Sequence, residues 1–196
     1  IKAIGFTGSG LVGKLLIKLS QERQVPIPVY AEMGSLNPVF FTPGALAEKA
    51  DELAKAAVDS ALLGAGQFCT KPGLIFIPEN ETQFLSQISA HLGTLQVGPL
   101  LSSAIASRYS AAIAALSQKT SVQVLSAQTT ENGFGVTPTI FVTDWVTAQS
   151  TPGLLEEHFG PTTVVITANE NDYVKIASEL PGQLTATIHG SASDSY

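Results

Sequence analysis

Lys2-Ala3-Ile4-Gly5-Phe6-Thr7-Gly8-Ser9-Gly10-Leu11-Val12-Gly13-Lys14 opens the chain with a short apolar run, a glycine-rich turn and the start of an apolar repeat. The run reads as a buried strand and the turn as its exit. Leu11, Leu15, Leu16 and Leu19 then recur at helical spacing up to polar Gln21–Arg23. Pro26 and Pro28 exclude helix from the segment that follows, so Pro26–Glu32 is extended, with strand character at Val29-Tyr30-Ala31. Strand, helix and strand in this order make a β-α-β unit with parallel strands.

The same alternation continues downstream. Pro38–Phe41 is a short strand stopped by Pro43-Gly44, and Ala45–Leu63 is a helix with Leu46, Ala50, Leu53, Ala57 and Ala61 on one face. Leu74–Ile77, bounded by Pro72-Gly73 and Pro78, is a buried strand. Phe84, Leu85, Ile88 and Leu92 mark the next helix, and Leu101, Ile105, Tyr109, Ile113 and Leu116 another. Further strands are expected at Val122–Leu125, Thr139–Thr143, Thr163–Thr167 and Gln183–Ile188, with a short helix at Asn171–Leu180. The expected fold is therefore α/β, a mostly parallel sheet flanked by helices on both faces. A seam at Glu32–Pro38 separates two units, 1–32 and 33–196.

The bulk numbers set the class. With 196 residues, 44% hydrophobic and 13% charged, the chain can bury a sizeable core and is too apolar for disorder. Its net charge of −6 is scattered, and no basic run of the kind that nucleic acid or an anionic membrane requires is present. Cys69 is the single cysteine, so no intrachain disulfide forms and nothing argues for secretion; a cytoplasmic protein is expected. His91, His158 and His189 lie far apart with no metal-ligand spacing, so no metal site is expected. No stretch is long and apolar enough for a membrane span, and no signal peptide is visible. Opening without methionine and already inside a strand, the chain reads as a portion cut from a longer protein. Its polar end, Ser191–Tyr196, is expected to fray.

Gly8-Ser9-Gly10-Leu11-Val12-Gly13 satisfies G-x-G-x-x-G between a strand and a helix, and Glu32 follows at about the distance of a ribose-binding acid. The same stretch fits most of a phosphate loop up to Gly13-Lys14. That reading fails at Leu15, where Mg²⁺ would need a Ser or Thr hydroxyl. A dinucleotide remains open, because backbone N–H groups at a helix N-terminus attract phosphate. So does a plain tight turn in which glycine only relieves strain.

Cys69 lies in Gly64-Ala65-Gly66-Gln67-Phe68-Cys69-Thr70-Lys71-Pro72-Gly73, after a long helix and before a buried strand. A lone cysteine is most often inert packing. Here it sits on a glycine-flanked loop, and Lys71, its nearest charged neighbour, is placed to favour the reactive thiolate.

At this point a family emerges. Gly66-Gln67-Phe68-Cys69 resembles the cysteine signature of the aldehyde dehydrogenase superfamily, and Ala31-Glu32-Met33-Gly34-Ser35-Leu36-Asn37-Pro38 its glutamate signature. Phe6-Thr7-Gly8-Ser9, with Gly13, is similar to its cofactor-contacting turn, and Glu156-Glu157-His158-Phe159-Gly160-Pro161 to its glutamate–phenylalanine motif. All four stand in the family's order, from Phe6 to Pro161. Two positions depart from it: Ser35 where a second glycine is common, and Lys71 where a small residue is common. Both departures, with the Gly-Ala-Gly-Gln-Phe-Cys-Thr run, resemble the branch acting on 2-oxoglutarate semialdehyde (2,5-dioxovalerate) and fatty aldehydes.

The resemblance implies NAD(P)-dependent oxidation of an aldehyde to the acid. Cys69 is then the nucleophile, passing through a thiohemiacetal and a thioester. Glu32 is the base for the hydrolytic water, a task suited to a carboxylate partly withdrawn from water. The oxyanion falls to the Cys69 N–H and to an asparagine upstream of this chain, not to Asn37 or Asn132. Thr7, Gly8, Ser9 and Gly13 line the phosphates and ribose of NADP or NAD. Glu157 grips the nicotinamide ribose, Phe159 packs beside the ring, and His158 is a spacer. Residues 1–32 correspond to the end of the dinucleotide-binding domain and 33–196 to a catalytic domain, incomplete at its C-terminus. The full-length enzyme is expected to be a homo-oligomer, and these 196 residues alone to have negligible turnover. Trp145 and Tyr109 read as core. Two rivals remain: a Rossmann-type nucleotide module with Glu32 on the ribose, and an α/β interaction domain with Cys69 buried.

Overall fold

β1 (Ile4–Thr7) leads into α1 (Gly10–Gln21), and the chain returns as β2 (Val29–Glu32), parallel to β1 from Ile4 opposite Val29 to Thr7 opposite Glu32. These elements make up one of two compact units, Ile1–Ser35. The structure, a computed structural model, describes residues 1–194. Among the described residues of this unit only Gly13, Ser20 and Ser35 are buried. The opening strand is half exposed instead of buried. Leu11, Leu15 and Leu19 carry the expected helical period, yet they are 83%, 52% and 51% exposed. Two strands and one helix supply too few apolar neighbours to cover that stripe.

The second unit, Leu36–Tyr196, is built around a sheet. Its elements are β3 (Val39–Phe41), α2 (Pro43–Leu62), β4 (Leu74–Pro78), α3 (Thr82–Leu92), α4 (Ser103–Ser117), β5 (Gln123–Ser126), β6 (Thr139–Asp144), α5 (Trp145–Ser150), β7 (Thr162–Ala168), α6 (Tyr173–Glu179) and β8 (Thr187–His189). Among the described residues the strands form one six-stranded sheet in the order β5-β6-β7-β4-β3-β8. All neighbours are parallel except β5, which runs antiparallel to β6. The α/β class with a mostly parallel sheet flanked by helices is thus present.

β4 and β7 lie at the centre: β4 is apolar throughout, and β7 buries Val164, Val165 and Ile166 together with Thr162 and Thr163. Alternation along β4 then splits the core in two. Ile75 and Ile77 join Phe41, Val58, Phe84 and Ile88 on one face. Leu74 and Phe76 join Phe40, Phe141, Leu154 and Ile166 on the other, where the rings of Phe40 and Phe76 stack with centroids 4.6 Å apart. A third cluster of Ala65, Leu100, Tyr109 and Val136 lies beside α4.

Helix α2 begins at Thr42, whose hydroxyl accepts from Ala45 N at 3.3 Å, and Pro43 is pre-set for its first turn. Buried Ala50, Ala54, Ala57 and Ala61 let it lie close on the sheet. The terminal segment is not frayed where it is described. Asp194 accepts from Gly44 N at 2.9 Å, from Ser191 N at 2.6 Å and from the Thr42 hydroxyl at 2.6 Å. A carboxylate at a helix N-terminus satisfies donors that the helix itself leaves open. Ser195 and Tyr196 lie outside the described residues. The expected strand at Gln183–Ile188 shortens to β8, because Gln183 uses its side-chain oxygen to accept from the N–H of Leu36 and Asn37. Among the described residues no helix is long and apolar enough to cross a membrane.

Candidate active site

The two units carry their marked residues at opposite ends of their strands. In the first, the Gly8-Ser9-Gly10 turn follows the carboxyl end of β1, and Glu32 closes β2 at the same edge; Gly8 N donates to Glu32 O at 3.0 Å. Thr7, Gly8, Ser9 and the Glu32 side chain are exposed, so the partial withdrawal from water expected of Glu32 is absent within this unit. Ser9 is the N-cap of α1 but makes no side-chain cap, and the first turn holds no acidic residue. Open N–H groups without a competing carboxylate suit an anionic group such as a cofactor phosphate. Gly13 is buried, and a Cβ there would run into the Met33 side chain. What it provides is close helix-to-strand packing.

In the second unit the cysteine loop lies at the amino-terminal edge of the sheet, opposite the edge that doubly wound nucleotide sites use. Three neighbouring strands are entered there: Leu36-Asn37 leads to β3, Lys71–Gly73 to β4 and Gly160-Pro161 to β7. Cys69 is exposed, and its N–H has no intramolecular acceptor among the described residues. It occupies a turn closed by Lys71 N donating to Phe68 O at 3.1 Å. Gln67 holds the preceding segment, accepting from Leu101 N at 2.8 Å and donating to Gly64 O at 3.1 Å. Asn37, at φ +45, is buried; its amide donates to the carbonyls of Cys69 and Lys71, each at 2.9 Å, while its oxygen accepts from Thr185 N. That amide is committed to the loop and is not offered to a reacting oxygen.

The loop bearing Glu157 and Phe159 is pressed against the cysteine loop. At Gly66 (φ +66) a Cβ would collide with the backbone of Gly160, so only glycine permits the approach. Tyr109 is buried as expected of core, and its hydroxyl donates toward Thr137 O at 2.9 Å and Pro161 O at 3.0 Å; burial raises its phenol above the usual range. Trp145 packs edge-on to Phe76. Glu157 is half-buried and Phe159 is 38% exposed. An accessible carboxylate next to an accessible ring suits a ribose diol and a planar heterocycle. His158 is turned away from them, its Nε2 2.8 Å from Gly153 O, and burial lowers it from its ordinary value.

Lys71 does not serve the sulfur. Its Nζ donates to the carbonyls of His158 at 2.8 Å, Gly160 at 3.1 Å and Thr162 at 2.9 Å, using all three protons. Nearness in sequence suggested an electrostatic partner for the thiol, but burial sends the side chain inward. Sequence reasoning also gave no role to Asn37, Gln67 or Tyr109 in holding these loops. The first two stand inside the quoted motifs, which is their signal; Tyr109 reads from the sequence as core alone. Among the described residues no three His, Cys, Asp or Glu converge as a metal site.

Known proteins share this geometry and sequence. The chain is 33% identical to alpha-ketoglutaric semialdehyde dehydrogenase 2 of Azospirillum brasilense and 37% identical to alpha-ketoglutaric semialdehyde dehydrogenase of Acinetobacter baylyi (strain ATCC 33305 / BD413 / ADP1). Each alignment covers 99% of this chain and 38% of the relative, so the chain spans well under half the length of those proteins. Its fold matches the crystal structure of the aldehyde dehydrogenase KauB from Pseudomonas aeruginosa with a TM-score of 0.79 at 24% identity, over 97% of this chain and 40% of that one. The sequence profile of the aldehyde dehydrogenase family matches residues 1–196, and the chain belongs to that family.

Proposed function

We propose that this chain supplies the cysteine-bearing part of an NAD(P)-dependent aldehyde dehydrogenase whose substrate is a semialdehyde of the 2-oxoglutarate type. The observation that carries this reading is an exposed Cys69 on a loop locked against the loop bearing Glu157 and Phe159. Residues 1–32 act as the end of the dinucleotide-binding domain and 33–196 as the catalytic domain. The names of the two relatives support the substrate class, and Lys71 and the Gly64–Thr70 run fit the same branch.

In this reading the Cys69 thiolate attacks the aldehyde carbon and forms a carbon–sulfur bond. The oxyanion is held by the open Cys69 N–H, a donor fixed in advance by the Phe68–Lys71 turn. The bound nicotinamide would accept the hydride. Glu32 then takes a proton from water as it attacks the thioester, releasing the acid and the thiol. Thr7, Gly8 and Ser9 would hold the cofactor's phosphates and ribose, with Gly13 setting the helix; Glu157 would accept from the nicotinamide ribose, and Phe159 would shield the ring. In this reading the full-length protein is a cytoplasmic homo-oligomer; the free Cys69 agrees with the compartment alone.

Cys69→Ser in the full-length protein is expected to abolish aldehyde oxidation followed as NAD(P)H formation. Glu32→Gln is expected to leave a single-turnover burst and slow the steady state by about 100-fold or more. Retained turnover in the serine variant would remove Cys69 from the nucleophile role.

A further inference from the structure

Lys71 is the one lysine drawn fully into the second unit, 5% exposed beneath an exposed thiol loop. Burying an ammonium costs several kcal/mol unless its hydrogen bonds are met. Here each N–H meets a carbonyl, of His158, Gly160 and Thr162, all on the strand-entry segment that carries Glu157 and Phe159. Three converging carbonyl oxygens repel one another, and a neutral amine would offer only two protons. The arrangement therefore requires the charged form. Burial lowers the ammonium's pKa to about 8, while the nearby negative charge of Glu157 acts in the opposite sense.

The other end of the residue is equally committed. Lys71 N closes the turn containing Cys69, and Lys71 O accepts from Asn37, which also binds Cys69 O. One residue thus has its main chain in the thiol turn and its side chain in the Glu157 loop. The Gly66–Gly160 abutment brings the same two loops together but resists only approach, not separation or sliding.

We propose that Lys71 is a positioning residue, a tether that fixes the Cys69 turn relative to the Glu157–Phe159 segment and so aligns the sulfur-bound carbon with the bound cofactor. This rests on the functional reading above. It predicts that breaking the tether damages hydride transfer and the communication between cofactor and thiol more than it damages aldehyde binding.

The test uses the full-length protein carrying Lys71→Met, which keeps the stem and removes all three donors. Lys71→Gln, which keeps two, serves as a milder second variant. Three quantities are read: kcat and KM with a semialdehyde; the iodoacetamide alkylation rate of the Cys69 peptide with and without NAD or NADP; and folded content by circular dichroism. Lys71→Met should lower kcat by about 10–100-fold, the scale of a small misalignment, with the aldehyde KM within about threefold of wild type. The cofactor's effect on alkylation should shrink toward none, with Lys71→Gln in between. The proposal is overturned if both variants keep wild-type kcat and cofactor-dependent alkylation, or if activity falls only in proportion to folded protein. A wild-type protein that oxidises no aldehyde would defeat the functional reading itself, before any variant is made.

Discussion

The two units are written in the same α/β grammar and differ in how completely it is carried out. Ile1–Ser35 has parallel strands, a turn and an amphipathic helix, but its leucines face water and its buried positions are a glycine and two serines. Leu36–Tyr196 covers a six-stranded sheet on both faces, with Phe41, Phe76, Phe84 and Phe141 almost wholly enclosed. Local pattern is enough to form elements; only neighbours turn an apolar face into stability. The marked residues follow the same divide. Exposed N–H groups mark the first unit's candidate residues, whereas interlocked main chain marks the second's.

Core truncation tests that contrast most severely. Phe76→Ala is expected to cost about 3–5 kcal/mol in urea unfolding of the chain, and Leu15→Ala less than about 0.5 kcal/mol. Equal losses would show that the first unit's stripe is covered after all. The glycines give a smaller difference. Gly66→Ala meets the Gly160 backbone and should cost about 2–3 kcal/mol, slowing turnover of the full-length protein as well. Gly13→Ala meets Met33, whose Sδ and Cγ must both move, with Phe6 in ordinary contact; helix propensity offsets part of the strain, for a net cost of about 1 kcal/mol. Asp194→Ala removes a partner of Thr42 and Gly44 at the start of α2 and should cost about 1 kcal/mol by the same measurement.

The smallest effect is a dependence on pH. Burial lowers His158 below its ordinary value, opposed by its bond to Gly153 O and by Glu156 and Glu157, and reinforced by Lys71. The folded protein therefore keeps this ring neutral where the unfolded chain binds a proton. Its contribution is full above about pH 6.5 and is lost as pH falls through the lowered value. Stability profiles of the chain should decline on that acid side, and His158→Gln should flatten the decline. An unchanged profile would show that the ring is not held neutral.

Much of the sheet could be read directly. β4 announces itself as an unbroken apolar run, as a strand covered on both faces must be, with Pro72-Gly73 and Pro78 at its ends; β7 shows only as Val164-Val165-Ile166 between threonines, after Gly160-Pro161. Helix α5 could not be read: it has six residues, no periodicity to detect, and a start fixed by Asp144 accepting from Thr147 N. Nor does alternation reveal that β5 runs antiparallel to β6. In the site, residue types and motif order pointed to Cys69, Glu157 and Phe159, because those side chains carry recognisable chemistry. The supports did not show, since their partners are main-chain groups, most of them remote in the chain: Lys71 reaches carbonyls 87 to 91 residues away. Backbone acceptors have no letter in a sequence.

The abutment of Gly66 on Gly160 has one last implication. The closest approach set there by main chain does not depend on Phe68 or Thr70, which stand exposed beside it. Those two positions are therefore open to variation: a different residue at either would re-contour the surface around the exposed thiol while the closest approach of the two loops stays as it is.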